Sequence, residues 1–312
     1  MQEEVGVNAE FYEEIKKLLP TAEIFYQEPM SKHTTFRIGG EADVFIKISE
    51  EEQLKILIPK LRQRQISYYV VGKGSNLLVG DKGFRGVILQ LDDTFGEVKV
   101  NNDVITARAG ASMAKIAKVA LQNRLTGFEF AAGIPGTVGG GVIMNAGAYG
   151  GEMKDVVTKV RFLKPDGDIG EYTGEEMCFE YRNSVLKHKP EYVVLEVEIT
   201  LQLGSEEDIL ATMQDLAKRR KDKQPLEYPS AGSTFKRPEG YFAGKLIQDA
   251  GLSGYSIGDA TVSEKHSGFV INAGNATASD VKALIETIQK KVHEQFGVHL
   301  EKEVIFLGEF AD

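Results

Sequence analysis

The feature that most limits the fold of this chain is a run of glycines at residues 133–151. The segment reads GIPGTVGGGVIMNAGAYGG, with eight glycines among nineteen residues, whereas the whole chain has 33 glycines in 312 residues. Glycine loses more backbone freedom on folding than any other residue, so this density is costly to order. A merely compact loop of that length is the competing interpretation, and packing alone explains it poorly. The run therefore predicts bare backbone lying against something flat or charged, such as a large cofactor.

A second glycine cluster, VVGKGSNLLVG at residues 70–80, follows a short apolar stretch that reads as a strand. A G-x-G-x-x-G dinucleotide fingerprint fails here because the third position is Leu77, and no G-x-x-x-x-G-K-[ST] phosphate loop is present. Two interpretations stay open for this cluster. It is either a tight turn between strands or a nest whose backbone amides, with Ser75 and Asn76, donate to a pyrophosphate.

Charge and cysteine content exclude several classes of protein. Lys and Arg number 37 against 46 Asp and Glu, and the net charge of −9 argues against broad nucleic-acid binding. No apolar run is long enough to predict a membrane span, and the acidic first residues lack the apolar core of a secretory signal. The single cysteine, Cys178, permits no intrachain disulfide and fits a reducing cytosol. We therefore expect a cytoplasmic protein with no metal site and no obligate protein partner.

Hydrophobic periodicity predicts a chain of mixed helices and strands. Helices are expected at 9–19, at 50–64 in spite of Pro59, after a Ser112 cap, at 206–223 and, after a Ser279 cap, at 280–296. Strands are expected at 43–48, 66–71, 86–91, 156–163, 192–203 and 303–308, with a hairpin around the Pro-Asp-Gly of VRFLKPDGDIGEY. The helix at 206–223 would bury a face containing Ile209, Leu210, Met213, Leu216 and Ala217, and its basic end, KRRKDK, is more typical of a solvated helix terminus than of a binding site.

Several segments, taken in order, resemble one family. GKGSNLLV and GIPGTVGGGVIMNAGAYGGE resemble the FAD-binding fold of the vanillyl-alcohol-oxidase and p-cresol-methylhydroxylase superfamily. YRNSVLK at 181–187, PSAGSTFKRP at 229–238, AGKLIQDAGLSGYSIGDATVSEKHSGFVIN at 243–272 and GVHLEKEVIFLG at 297–308 are similar to the UDP-N-acetylenolpyruvoylglucosamine reductases, also called UDP-N-acetylmuramate dehydrogenases. The similarity runs from about residue 34 to residue 308.

The resemblance implies a fold, domain boundaries and a reaction. The fold would be α+β, with a two-part FAD-binding fold of the p-cresol-methylhydroxylase type and a C-terminal α/β substrate domain. The parts would be 1–91 together with a terminal strand 304–312, then 92–217, then a substrate domain at 218–303. The implied reaction is reduction of UDP-N-acetylglucosamine enolpyruvate to UDP-N-acetylmuramate in cell-wall precursor synthesis. FAD would be bound non-covalently, and NADPH would be the co-substrate that supplies the electrons.

The resemblance also implies roles for particular residues. Ser233 would donate the proton, while Arg182 and Glu303 would stabilise the enolate-like intermediate. Glu301, two residues earlier, is easily confused with Glu303, which immediately precedes the terminal strand. The substrate-binding set is Tyr149, Lys223, Arg237 and His266. The FAD-binding set is Gly72, Lys73, Gly74, Ser75, Asn76, Leu77, Gly133, Ile134, Pro135, Gly136, Thr137, Gly139, Gly140, Asn145, Ala146, Gly147 and Gly150.

Outside that family context, simpler interpretations of the same residues compete. Arg182 would be a surface arginine, Ser233 a turn serine, and His266 a hydrogen-bonded structural histidine. The chain also departs from members that carry a tyrosine lid loop, because the segment after YRNSVLK is short, so it resembles the subtype without a lid. Two other functions remain as alternatives, an oxidase of an alcohol or lactone on the same flavin fold and a noncatalytic nucleotide-binding module.

Overall fold

A computed structural model of the chain describes Val7 and residues 9–311. The chain divides into two compact units. The first contains residues 1–26, 43–73 and 86–220, and the second contains 27–42, 74–85 and 221–312. The three functional parts expected from the sequence have other boundaries, and they stay a prediction.

The α-helices are α1 (Ala9–Leu18), α2 (Glu51–Gln63), α3 (Met113–Gln122), α4 (Val138–Ile143), α5 (Glu206–Lys223), α6 (Ala243–Asp249) and α7 (Ala278–Phe296). The strands are β1 (Glu23–Pro29), β2 (Glu41–Lys47), β3 (Tyr68–Val71), β4 (Leu77–Val79), β5 (Phe84–Gln90), β6 (Val98–Asn101), β7 (Val104–Arg108), β8 (Leu125–Thr126), β9 (Gly147–Ala148), β10 (Gly151–Glu152), β11 (Val157–Leu163), β12 (Ile169–Thr173), β13 (Val193–Thr200), β14 (Gln202–Leu203), β15 (Ser256–Ile257), β16 (Ala260–Val262), β17 (Val270–Asn272) and β18 (Ile305–Leu307).

One sheet has the strand order β1-β2-β5-β3. Strands β3 and β5 run parallel, with Tyr68 opposite Val87, and β3 leads directly into the first glycine cluster. Helix α2 buries Leu54, Leu57 and Leu61 in spite of Pro59 in its interior. A capping box between Glu50 and Gln53 starts this helix, so the helix expected there is confirmed.

The other large sheet of the first unit is five-stranded and antiparallel, in the order β12-β11-β13-β7-β6. The expected hairpin is confirmed, since β11 pairs with β12 from Lys159↔Thr173 to Leu163↔Ile169. Strand β13 alternates buried and half-buried side chains along most of its length, which places the apolar side chains in the core. Ser112 caps α3 by accepting a hydrogen bond from the Lys115 amide, as the sequence predicts.

The second unit contains the sheet β15-β16-β17 and the helices α6 and α7. Its core packs the apolar face of α7, including Val281, Leu284 and Ile288, with residues of α6 and of the 34–40 segment. Strand β18 pairs in parallel with β4, with Ile305 opposite Leu77, so the expected terminal strand is present.

Two details of the helices differ from the expectations. Helix α7 begins at Ala278 rather than residue 280, because the Thr277 hydroxyl, not Ser279, accepts from the Asp280 amide in a capping box. Ser279 instead donates its hydroxyl to Asp81 at 2.6 Å. In α5 only Ile209 is buried, and Leu210 is 42 % exposed, so the apolar face expected there is narrower than the periodicity indicated.

Candidate active site

The two glycine clusters touch within the first unit at Gly72 and Thr137. An added Cβ at Gly72 would lie 2.3 Å from the Thr137 hydroxyl oxygen, so only glycine fits there. The Gly72 carbonyl accepts from the Gln90 side chain at 3.3 Å. The neighbouring Lys73 forms a 3.2 Å ion pair with Asp93 at the surface. The contact fixes the first turn of one cluster against the start of α4 in the other.

Nearly half of the long glycine run is regular secondary structure, which corrects the interpretation of the whole run as a loop. It contains α4 and the two-strand hairpin of β9 and β10, paired antiparallel through Gly151↔Ala148. Packing within the unit explains four of its glycines, because an added Cβ at each would come closer to a neighbour than ordinary van der Waals contact. The distances would be 2.9 Å from Gly139 to Ala109, 3.2 Å from Gly141 to Met113, 2.7 Å from Gly147 to Glu152 and 2.6 Å from Gly151 to Phe130.

Two glycines of the run are not explained in this way. An added Cβ at Gly140 would meet only the Thr137 hydroxyl oxygen at an ordinary 3.8 Å, and one at Gly150 would meet nothing within 4 Å. Gly140 is exposed in the interior of α4, where glycine destabilises a helix by about 1 kcal/mol relative to alanine. Gly150 has a φ of 95°, which itself favours glycine. Gly140 therefore leaves exposed backbone that packing within the chain does not require.

Arg220 contributes a cation to the glycine run that the sequence did not reveal. An added Cβ at Gly133 would lie 2.6 Å from an Nη atom of Arg220, so this guanidinium covers the glycine. Burial lowers the pKa of Arg220, while the nearby Tyr149 opposes that shift. An arginine keeps its proton in such surroundings, so the site retains a positive charge. The basic stretch at the end of α5 was predicted to be solvated, and Arg220 departs from that prediction.

Arg182 lies in a tight turn beside the glycine run. The turn is closed by backbone hydrogen bonds between Glu180 and Asn183, and Arg182 has a φ of 54°. Its guanidinium donates to the Gly147 carbonyl at 3.3 Å. Tyr149, which is 44 % exposed, also has a positive φ of 55°. Bulky residues rarely adopt this left-handed conformation, and such outliers cluster at functional sites.

Asn145 ties this turn to the glycine run. It is fully buried, and its amide nitrogen donates to Glu152 at 3.1 Å and to the Glu180 carbonyl at 2.9 Å. Its amide oxygen accepts from the Lys154 backbone. Burial acts to raise the pKa of Glu152, but hydrogen bonds from Lys154 and Asn145 and the charges of Lys154 and Arg182 together lower it. The Asn145 side chain therefore ties the glycine run to the 180–183 turn, and its backbone amide is also occupied, since it donates to the Val142 carbonyl at 3.2 Å.

The other predicted cofactor residues of the first unit have mixed surroundings. Ile134 and Ala146 are partly buried against the core of the unit. Pro135 is exposed, and the Gly136 carbonyl accepts from the Met113 amide at 3.0 Å.

In the second unit, the segment Gly74–Leu77 is held by backbone contacts. Gly74 has a φ of 60°, and an added Cβ would lie 2.1 Å from the His33 carbonyl oxygen. Asn76 donates its side-chain amide to the Glu303 carbonyl at 3.1 Å, and its own carbonyl accepts from the Ile305 amide. Ser75, between Gly74 and Asn76 in the chain, is half-buried, and Leu77 begins β4.

Ser233 and Glu303 lie next to each other in this unit. Ser233 is exposed and follows Gly232, whose φ is 77°. The adjacent Thr234 is buried, and its carbonyl accepts from the Glu303 amide at 2.9 Å. Glu301, by contrast, is an exposed carboxylate that forms an ion pair with Lys236. Glu303 therefore lies beside Thr234, whereas the Glu301 carboxylate is paired with Lys236, and the role of either residue stays a prediction.

His266 and Lys223 also approach each other. The Nδ1 atom of His266 accepts from the Gly268 amide at 3.1 Å, which places the proton of the neutral ring on Nε2. Burial lowers the pKa of His266, and the charge of Lys223 lowers it further. Lys223 is exposed at the last residue of α5. His266 therefore offers a neutral N–H donor beside a lysine cation.

Arg237 stands on an exposed loop that precedes α6. Its guanidinium carbon lies 4.1 Å from the centre of the Phe242 ring, and its Nε donates to the Tyr241 carbonyl at 3.4 Å. The guanidinium is therefore held from one face and from one edge.

A cavity of about 640 Å³ lies elsewhere in the second unit, and none of the predicted site residues lines it. It is bordered by Arg37, Gly39, Asp81, Tyr228 and Asn275. The Asp81 carboxylate beside it already accepts hydrogen bonds from the first turn of α7.

Metal sites and membrane-spanning helices can be assessed for the residues that the structure describes. Within this part of the chain, no three His, Cys, Asp or Glu side chains are arranged to hold a metal ion. Over the same residues, every helix is too short or too polar to cross a membrane.

Comparison with known proteins defines first the class and then the family. Residues 42–172 match the family model of an FAD binding domain, and the two glycine clusters both fall inside that range. The chain is thus a flavoprotein oxidoreductase with an α+β fold. Residues 224–307 match the model described as UDP-N-acetylenolpyruvoylglucosamine reductase, C-terminal domain.

The similarity extends over nearly the whole chain. A UDP-N-acetylenolpyruvoylglucosamine reductase of Caldanaerobacter subterraneus subsp. tengcongensis is 54 % identical, over 95 % of this chain and 98 % of that protein. One of Clostridioides difficile is 48 % identical, over 97 % and 99 %. The crystal structure of the Thermus caldophilus reductase (MurB) has a TM-score of 0.77 at 34 % identity, covering 92 % of this chain and 98 % of that one. The chain belongs to the UDP-N-acetylenolpyruvoylglucosamine reductase family, as the sequence motifs predicted.

Proposed function

We propose that this protein reduces the enolpyruvyl ether of UDP-N-acetylglucosamine to UDP-N-acetylmuramate in the cytosol, during synthesis of peptidoglycan precursors. NADPH is the proposed source of electrons, and FAD the non-covalent carrier. The observation that supports the assignment within this family is the hydrogen bond from the Glu303 amide to the Thr234 carbonyl at 2.9 Å, which brings the backbone of Glu303 next to the residue that follows Ser233. A serine and a carboxylic acid at one site suit protonation of an enolate better than oxidation of an alcohol.

The residues of the glycine run fit FAD. Gly140 offers exposed backbone that no neighbour among the described residues fills, and Arg220 supplies a buried cation beside Gly133. Arginine suits the anionic diphosphate and the electron-rich edge of a flavin ring because its fork is planar and permanently charged. FAD, when bound, accepts two electrons from NADPH and supplies a hydride to the enolpyruvyl group.

The side chains of the protein handle the charge and the proton. Addition of a hydride to the methylene carbon breaks the carbon–carbon double bond and moves its electron pair toward the substrate carboxylate. Arg182, which the turn holds beside Gly147, balances that charge. Glu303, in its protonated form, donates a hydrogen bond to the same carboxylate. Ser233 gives its proton to the neighbouring carbon, which completes the lactyl ether and leaves a serine oxyanion for solvent to reprotonate.

The substrate-binding side chains supply cations and neutral donors. Lys223 and Arg237 offer positive charge to the UDP diphosphate, and Arg237 does so as a fork that matches phosphate oxygens. His266 donates from Nε2, because its other ring nitrogen accepts from Gly268. Tyr149 presents an exposed ring at the end of the glycine run for the sugar nucleotide.

Replacing Ser233 with alanine tests the proposed proton donor. In anaerobic stopped-flow experiments, Ser233→Ala should accept electrons from NADPH at the rate of the unchanged protein. Its reoxidation by UDP-N-acetylglucosamine enolpyruvate should slow by about 100- to 10,000-fold, the usual contribution of a positioned general acid. Ser256→Ala is the matched control, since Ser256 is also exposed in the second unit and its hydroxyl meets only local partners, Thr261 at 2.8 Å and the Gly254 carbonyl at 3.3 Å. Reoxidation of the Ser233 variant at the normal rate would rule out this assignment.

A further inference from the structure

Phe242 is an unusually exposed aromatic side chain beside a predicted substrate-binding cation. It is 62 % exposed, a larger fraction than for any other Phe or Tyr among the described residues. Its ring lies over the Arg237 guanidinium, with 4.1 Å between the guanidinium carbon and the ring centre. Stacking takes the face of a guanidinium and leaves its edge, where the N–H donors lie, pointing sideways.

The loop that carries Phe242 has a fixed backbone. The Tyr241 amide donates to the Pro238 carbonyl at 3.1 Å, which closes a turn with Gly240 at a φ of 75°. A positive φ at the third residue of such a turn is the type II pattern, which favours glycine. Phe242 is extended and precedes α6, and its carbonyl accepts from the Lys245 amide. The ring is therefore held over Arg237 by local structure rather than by core packing.

The same loop adjoins other predicted substrate residues. An added Cβ at Gly244, in the first turn of α6, would lie 3.3 Å from the His266 ring and 3.1 Å from the Gly268 amide nitrogen. The Gly268 carbonyl in turn accepts from the Thr234 amide, next to Ser233. A continuous series of contacts thus runs from the aromatic loop to the proposed proton donor within the second unit.

We propose that Phe242 is a positioning residue that orients the Arg237 guanidinium toward the diphosphate of the sugar nucleotide. The inference rests on the proposed function, because it takes Arg237 as a diphosphate ligand. Phe242 acts through Arg237. Its ring fixes the plane of the Arg237 guanidinium, and the Tyr241 carbonyl fixes the position of the Nε atom of Arg237.

Binding of UDP to the FAD-loaded protein, measured by titration calorimetry, tests the proposal without relying on turnover. Phe242→Ala should raise the Kd for UDP by about two- to fivefold, the fold-change that an exposed cation–π contact gives. Phe242→Tyr should restore binding, because it keeps a ring over the guanidinium. Tyr255→Ala is the matched control, since Tyr255 is a 38 % exposed ring under Lys291, at 4.7 Å, and belongs to no proposed site.

A double-mutant cycle separates positioning from a general structural effect. Arg237→Ala should weaken UDP binding by itself, and adding Phe242→Ala to it should cause no further loss. An unchanged Kd in Phe242→Ala, or the same fold-loss in the presence and absence of Arg237, would overturn the proposal. If UDP binding behaves as expected but the unchanged protein does not reduce the enolpyruvyl substrate, the proposed function fails while the positioning role stands.

Discussion

Gly140 gives the sharpest test of where the flavin meets the protein, because a single methyl group should have opposite effects on stability and on binding. The residue lies in α4, and an added Cβ meets only the Thr137 hydroxyl oxygen, at 3.8 Å. Gly140→Ala should therefore raise the free energy of unfolding of the flavin-free protein by about 0.5–1 kcal/mol, as alanine does in a helix. For a chain of 312 residues this corresponds to an increase in Tm of about 1–2 °C, measured by calorimetry.

Binding of FAD should change in the opposite direction. If the flavin lies against the bare backbone of Gly140, a methyl group inserted into that contact costs about 1–3 kcal/mol. The Kd for FAD, measured by quenching of flavin fluorescence, should then rise by about 5- to 150-fold. Gly141→Ala is the matched control, since Gly141 lies in the same helix but outside the predicted FAD-binding set, and its Cβ would meet Met113 at 3.2 Å, so its effect should fall on packing within the unit. Unchanged FAD affinity in Gly140→Ala would refute the assignment of this surface to the flavin.

Two further predictions concern the second unit. Asp81→Ala should lower the free energy of unfolding, measured by urea titration, by about 1–2 kcal/mol. The reason is that the Asp81 carboxylate caps α7 by accepting from the Ala278 amide at 2.7 Å and the Ser279 amide at 2.9 Å. An unchanged midpoint and slope of the urea transition would contradict this role. Burial, together with the charge of Lys223, keeps the pKa of His266 below the 6.5 expected in the unfolded chain. The unfolded state therefore takes up more protons than the folded state as the pH drops from about 7.5 toward 5.5, and the free energy of unfolding falls over that window. His266→Gln should show a smaller fall over that window, and parallel pH profiles for the two proteins would contradict the shift.

Much of the fold follows from the sequence where the signals are local. The hairpin of β11 and β12 was readable because a Pro-Asp-Gly turn separates two apolar stretches. Helix α4 was not predicted from the sequence, because glycine has the lowest helix propensity after proline and its density indicated a loop. The start of α7 was misplaced by two residues, since Thr277 and Ser279 are equally plausible caps until the position of Asp81 is known.

The site shows the same division between local and long-range information. Motifs identified Ser233 and Glu303, and their proximity through Thr234 depends on a contact between residues about seventy positions apart. Arg220 was missed because its sequence neighbours are typical of a solvated helix end, and only the fold brings its guanidinium to Gly133. Phe242 was not identified from the sequence, because only the fold shows its ring centre 4.1 Å from the Arg237 guanidinium carbon.

The most direct test of the account is the fate of the reduced flavin. The FAD-loaded protein would be reduced by NADPH without oxygen, and the flavin absorbance would be followed after mixing with UDP-N-acetylglucosamine enolpyruvate or, separately, with oxygen. The account predicts rapid reoxidation by the enolpyruvyl sugar nucleotide, with one UDP-N-acetylmuramate formed for each flavin reoxidised. Reoxidation by oxygen alone, with the sugar nucleotide unchanged, would contradict it and would indicate an oxidase on the same flavin fold.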